Sequence, residues 1–225
     1  MIFSADDEPA QPNPWLLGIA LEAAKEATKI NLEEVSARLA QPPYYPDIWP
    51  GEHYRLLAAL VKLMRPEHVI EIGTATGLSA LALKKFLPTT GRIITFDIAP
   101  WQSFPQTVLR GEDFEDGRLT QSVSDLSVGS VFKSLSSLLV AADLIFVDAG
   151  KDGRMERRFL EHFAQMEFLR PPLIVFDDIR LWNMLAIWRS IDRPKLDLTS
   201  FGHWSGTGLV HWVGTTQPPQ HPAIP

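Results

Sequence analysis

The chain contains no cysteine. That excludes disulfides, thiolate nucleophiles and cysteine metal sites together, so any metal has to be held by oxygen or imidazole. There is no apolar run near the roughly 20 residues that a membrane helix requires. There is also no lysine and arginine cluster to set against a formal charge of −6, which leaves no electrostatic pull toward nucleic acid or an anionic membrane. The densest basic stretch, RMERR at 154 to 158, reads as a solvated helix face. The opening MIFSADDEPAQPNPW lacks the basic and apolar regions of a secretory signal, and its Asp6, Asp7 and Glu8 oppose a transit peptide. The expected compartment is the cytoplasm. G-x-S-x-G, H-E-x-x-H and Walker loops are absent too, which removes the common hydrolase, zincin and NTPase readings. What 225 residues leave room for is one sizeable α/β domain.

Periodicity and punctuation set out an alternating plan. WLLGIALEAAKEATKINLEEVSARLA has helical apolar spacing up to the break at Pro42 and Pro43. A proline-rich aromatic loop, QPPYYPDIWPGEH, leads to a second helix, HYRLLAALVKLM. From there strands and helices alternate: HVIEI, LSALALKKFL, RIITFDI, RLTQSV, LSVGSVFKSLSSLLVAA, DLIFVDA, RMERRFLEHFAQMEFL, PLIVFDD and a helix from about Leu181 to Ser190. Such alternation demands right-handed crossovers and a parallel sheet between helix layers. At the end KLDLTSF and TGLVHWV have no helix between them, so the last strand is expected to return antiparallel. The expected divisions are a leader, helix and proline-rich loop at 1–50, the main domain at 51–215 and a frayed tail at 216–225.

The stretch EIGTATGLSALAL, residues 71 to 83, carries the first chemical signal. A strand ending in Glu71, a tight turn on Gly73 and Gly77 and a helix after it let backbone N–H groups approach a ligand at the carboxyl edge of the sheet. Asp97 ends the next strand, where an acid can accept both hydroxyls of an adenosine ribose. The turn is G-x-x-x-G and lacks the G-x-G-x-x-G that brings backbone close to a pyrophosphate, so a phosphate-free adenosine cofactor fits better than a dinucleotide.

At these residues the sequence resembles the class I S-adenosylmethionine-dependent methyltransferases, over roughly residues 50 to 213. The resemblance implies a Rossmann-like α/β/α sandwich whose seven-stranded, mostly parallel sheet has its last strand antiparallel. It implies S-adenosylmethionine as cofactor. Glu71, Gly73 and Gly77, with Thr74 and Ser79 of the same segment, would line the methionine side. Asp97 would hold the ribose, and Ser124 and Asp125 would approach the adenine. For Asp125 a helix cap is an equal alternative.

A second stretch, DLIFVDAGKDG at 143 to 153, resembles the fourth-strand motif of the small catechol and caffeoyl-CoA O-methyltransferases, in which a lysine follows the strand-end Asp after two residues. Here those positions are Asp148 and Lys151, and LIVFDDIR supplies Asp177 and Asp178. Three carboxylates at adjacent strand ends suit a hard divalent cation such as Mg²⁺ and would repel one another without one. A cation bound by Asp148, Asp177 and Asp178 could lower the pKa of a substrate hydroxyl, with Lys151 completing deprotonation or stabilising the oxyanion. The subfamily has Asp-Asn where this chain has Asp-Asp, which adds a charge and leaves a metal-free site open. The alternative for Lys151 is a surface pairing with Asp152 or Glu156.

The acceptor is expected to be a small molecule. Trp49, His53, Trp182, His203 and Trp204 are its weak candidate contacts, whereas Trp188 and Trp212 are assigned to packing. His68, His162, His211 and His221 form no constellation. The leading reading is methylation of a small-molecule hydroxyl with a divalent cation. Alternatives are metal-independent N- or C-methylation, a nicotinamide-dependent oxidoreductase, and a non-catalytic S-adenosylmethionine-binding protein. The N-terminal helix with YYPDIW is expected to act as a lid or to dock on a second subunit in a homodimer.

Overall fold

The computed structural model describes residues 10–213. The start of the expected leader, the expected tail at 216–225 and His221 lie outside the described residues. The strands are β1 His68–Ile72, β2 Arg92–Asp97, β3 Leu119–Val123, β4 Leu144–Val147, β5 Leu173–Asp177, β6 Lys195–Asp197 and β7 Thr207–His211. The helices are α1 Pro14–Ala27, α2 Glu33–Ser36, α3 Tyr54–Met64, α4 Leu78–Lys84, α5 Gly129–Ser134, α6 Ser136–Leu139, α7 Arg154–Ala164 and α8 Met184–Ser190.

The strands form one seven-stranded sheet in the order β3-β2-β1-β4-β5-β7-β6. β1 to β5 pair in parallel, and β7 runs antiparallel to both β5 and β6. This is the expected Rossmann-like sandwich with its reversed last strand. β4 and β5 are buried at every residue, which is why β4 and β5 up to Phe176 read as apolar runs: helices cover both faces. Alternate strand residues go to opposite sides. Val69, Leu144, Phe146 and Val175 join a core with α1, α3 and α4, while Ile70, Ile145, Val147 and Phe176 join one with α7 and α8.

Two expected helices are interrupted. The first ends at Ala27 and restarts only as the single turn of α2. In between, the Thr28 hydroxyl donates to the Lys25 carbonyl at 2.8 Å and Asn31 Oδ1 accepts from the Glu33 N–H at 2.7 Å. These are side-chain bonds of the kind that compete with a continuing helix. Likewise LSVGSVFKSLSSLLVAA divides into α5 and α6, where Ser134 Oγ donates to the Val131 carbonyl. α1 itself is well specified. Asn13 Oδ1 caps it by accepting from the Leu16 N–H at 2.9 Å, and Pro14 stands in its first turn. Its Leu16, Ala20, Ala23 and Ala27 are buried in the same core as α3.

Candidate active site

Strands β1 to β5 end at one edge of the sheet, and the strand order reverses between β1 and β4, which opens a crevice there. A cavity of about 450 Å³ occupies that edge. Gly73, Asp97, Ser124, Asp125 and Asp148 line its polar side. Its apolar side includes Phe104, Leu126, Met155 and Phe159.

The turn after β1 shapes this cavity. Gly73 has φ +107°, and a Cβ there would collide with the Asp148 carbonyl oxygen. The backbone therefore passes where no other residue fits. Oδ2 of Asp97 accepts the N–H groups of Thr74 and Ala75, each at 3.0 Å, so the turn fixes the carboxylate that faces the cavity. Other residues expected to hold a cofactor sit behind this surface. Thr74 Oγ1 is 2.7 Å from Thr95 Oγ1, Gly77 begins α4 against Leu109, and Ser79 is buried. Glu71 is fully buried, and neither of its oxygens has a hydrogen-bond partner. Burial raises its pKa to about 7.

Beside the cavity, Lys151 collects the three expected carboxylates. Its Nζ lies 2.7 Å from Oδ1 of Asp148, 3.0 Å from Oδ2 of Asp178 and 3.6 Å from Oδ2 of Asp177. Burial disfavours the ammonium, but the three charges outweigh it and raise the lysine pKa. Asp152 and Glu156 do not take the ammonium. Glu156 accepts the backbone N–H groups of Lys151, at 2.7 Å, and Gly153, at 3.0 Å, and Asp152 pairs with Arg154. Lys151 and Asp178 both adopt left-handed backbone, with φ of 67° and 58°. Such strain concentrates at functional sites.

The other flank of Asp177 is histidine. His53, at the start of α3, places Nδ1 3.2 Å from Asp177 Oδ1. His203 places Nδ1 3.2 Å from the same oxygen and 3.2 Å from Oδ1 of Asp178. Its Nε2 is 3.7 Å from Glu52, and Ser205 donates a short bond to Asp178. The backbone joins these segments: the Trp204 N–H donates to the Gly51 carbonyl at 3.0 Å. Burial opposes the charged form of His203, but Asp177 and Asp178 prevail and raise its pKa to about 10. Burial would raise the pKa of Asp177, yet His53, His203 and Lys151 outweigh it and hold the carboxyl well below the usual range.

Among the described residues, donor atoms lie within 4.8 Å of one another in three sets: Glu52 with His53 and His203, His53 with Asp148 and Asp177, and Asp177 with Asp178 and His203. Oxygen and imidazole donors of this kind fit a divalent cation. Sequence reading weighed the two histidines only as acceptor contacts and did not single out Glu52, Ser205, Met155 or Phe159. The signal was weak because His53 and His203 come from opposite ends of the chain. Two of the three tryptophans do not join the cluster: Trp49 faces a separate depression with Leu21 and Phe201, and Trp182 is 76% exposed. Trp204, although 72% exposed, packs edge-on against His203 with ring centroids 5.4 Å apart.

A glycine turn, a strand-end acid and a lysine among carboxylates at the switch point of a doubly wound sheet define a cofactor-dependent transferase type of site. The chain belongs to the O-methyltransferase family, whose model matches residues 22–195. It is 32% identical over 106 residues to catechol O-methyltransferase domain-containing protein 1 of Mus musculus, covering 45% of this chain and 38% of that protein. It is 26% identical over 164 residues to caffeoyl-CoA O-methyltransferase 2 of Petunia hybrida, covering 68% and 62%. The chain thus spans less than two thirds of the length of either relative. In fold it is similar to the SAH-bound methyltransferase of Podospora anserina, with a TM-score of 0.52, 15% identity and 91% of each chain covered. It is also similar to a protein of Corynebacterium glutamicum, with a TM-score of 0.54, 16% identity and 87% and 92% covered. No helix among the described residues is long and apolar enough to cross a membrane.

Proposed function

We propose that this chain transfers a methyl group from S-adenosylmethionine to a hydroxyl oxygen of a small molecule, assisted by a divalent cation. One observation carries the reading: Asp148 both lines the 450 Å³ cavity and pairs with Lys151 at 2.7 Å, so a cofactor pocket and a charged acceptor site share a wall. Family membership and an SAH-bound structure of the same fold support the cofactor.

In this reading Asp97, held by two backbone N–H groups, accepts the ribose hydroxyls. Met155, Phe159 and Leu126 give the adenine an apolar wall, with Ser124 and Asp125 at its polar edge. Bound S-adenosylmethionine supplies a methyl group activated by its sulfonium. The three carboxylates keep Lys151 as an ammonium, so its role is to donate a hydrogen bond to the developing oxyanion rather than to take the proton. A cation held by Asp148, Asp177 and His53 would lower the pKa of the acceptor hydroxyl. His203, held protonated between Glu52 and Asp178, offsets the carboxylate charge beside the site, and the acceptor proton leaves to solvent. The expected homodimer or lid role of residues 1–50 remains a proposal, supported by the exposed Trp15, Leu17 and Leu21.

The test is incubation of the protein with S-adenosylmethionine and a panel of phenols, catechols, amines and carbon acids, followed by mass spectrometry. Methylation on oxygen, reduced by a chelator, is the expected result. Transfer to nitrogen or carbon alone, or reduction of a substrate by a nicotinamide cofactor, would overturn the assignment.

A further inference from the structure

Glu156, in the first turn of α7, is fully buried, and both of its oxygens are bonded to the loop after β4. Oε1 accepts the Lys151 N–H at 2.7 Å, and Oε2 accepts the Gly153 N–H at 3.0 Å. That loop needs holding. Gly150, Lys151 and Gly153 all have left-handed backbone, with φ of 67°, 67° and 79°, a conformation that costs a lysine energy. Gly150 leaves the room that the carboxylate occupies, because a Cβ there would lie 2.9 Å from Oε1. From the other side Asn183 donates to the Asp152 carbonyl at 2.9 Å.

Both backbone groups are donors, so the side chain that bridges them has to accept twice. A carboxylate does so, whereas an amide of the same shape turns its NH₂ toward one of the two N–H groups. The loop held in this way carries the Lys151 ammonium to 2.7 Å from Asp148 and lays Gly150 along the cavity. We infer that Glu156 is a positioning residue for Lys151: through two backbone bonds it holds the left-handed turn that sets the ammonium over the strand end. What the ammonium does there rests on the O-methyltransferase reading above; where it is held does not.

The test is trace acetylation of the folded full-length protein with acetic anhydride, each lysine being read by peptide mass spectrometry. Exposed Lys133 sets the reference rate. Lys195, 2% exposed and donating to the Trp188 carbonyl at 2.8 Å, reports any general loosening. In Glu156→Gln, Lys151 should gain about 10-fold or more on Lys133 while Lys195 stays as slow as in the wild type. A helix cap with no further role lowers overall stability without freeing one lysine. An unchanged Lys151 rate, equal acceleration at Lys151 and Lys195, or a wild-type Lys151 as reactive as Lys133 would therefore each overturn the inference. If Glu156→Gln fails to fold by circular dichroism, hydrogen exchange of the wild type decides. The Gly153 N–H should then be protected about 100-fold or more, and exchange at the rate of an open loop counts against the clamp. S-adenosylhomocysteine binding on the same samples separates the two readings. Binding with an unchanged Lys151 rate defeats only this inference, while no binding to the wild type defeats the methyltransferase reading and leaves the labelling to decide how Lys151 is held.

Discussion

The ammonium of Lys151 lies 2.7 Å from Oδ1 of Asp148, three positions earlier in the chain. The left-handed backbone at Lys151, φ 67°, turns the side chain back over the strand end, where Asp177 and Asp178 also meet it.

Replacing Lys151 with Met leaves three carboxylates facing one another without their common cation. Removing one partner of a buried charged group costs about 3–5 kcal/mol. Lys151→Met should lose stability of that order in urea denaturation without divalent ions, and an added divalent cation such as Mg²⁺ should restore more of it than in the wild type. A variant as stable as the wild type in chelator would show that the cluster is not electrostatically coupled.

Gly73→Ala tests the turn. Its Cβ would strike the Asp148 carbonyl oxygen, and φ is +107°, so the strand end must shift at a cost of about 3 kcal/mol or more. Thermal unfolding should fall accordingly and S-adenosylhomocysteine binding should be lost. Wild-type affinity in Gly73→Ala would place the ligand elsewhere.

Glu71 sets a pH dependence. Its pKa is raised from 4.5 to about 7 by burial. Between those values the folded protein keeps a proton that the unfolded chain has released. Stability therefore falls as pH rises through that window, by up to about 3 kcal/mol. Glu71→Gln should abolish this slope between pH 5 and 8, as measured by denaturant midpoints. An equal slope in both proteins would mean that Glu71 is ionised throughout.

α1 was read from the sequence as a helix preceding the main fold, and Leu16 is fully buried in the core it shares with α3. Leu16→Ala should cost about 2–5 kcal/mol by the usual cavity penalty. A loss below about 1 kcal/mol would show α1 to be loosely attached.

Much of this architecture was legible because β4 and β5 announce burial on both faces, and because KLDLTSF and TGLVHWV lack an intervening helix. Gly73, Asp97, Asp148 and Lys151 stood out because turns and strand ends leave local signatures. The helix break at 28–32 did not, since Thr28 and Asn31 act through side-chain bonds that apolar spacing cannot register. The pairing of His53 and His203 on Asp177 arises from tertiary contact between the segment before α3 and the loop before β7. Nothing in the local pattern of either histidine marks it.

The most direct test of the central claim is calorimetric titration of the wild type and of Asp97→Ala with S-adenosylhomocysteine. Dissociation constants on the order of micromolar for the wild type, weakened by about 10-fold or more in the variant, are the predicted result. No binding to the wild type, or equal binding to both proteins, would contradict the assignment of the cavity at the β1 turn to an adenosine cofactor.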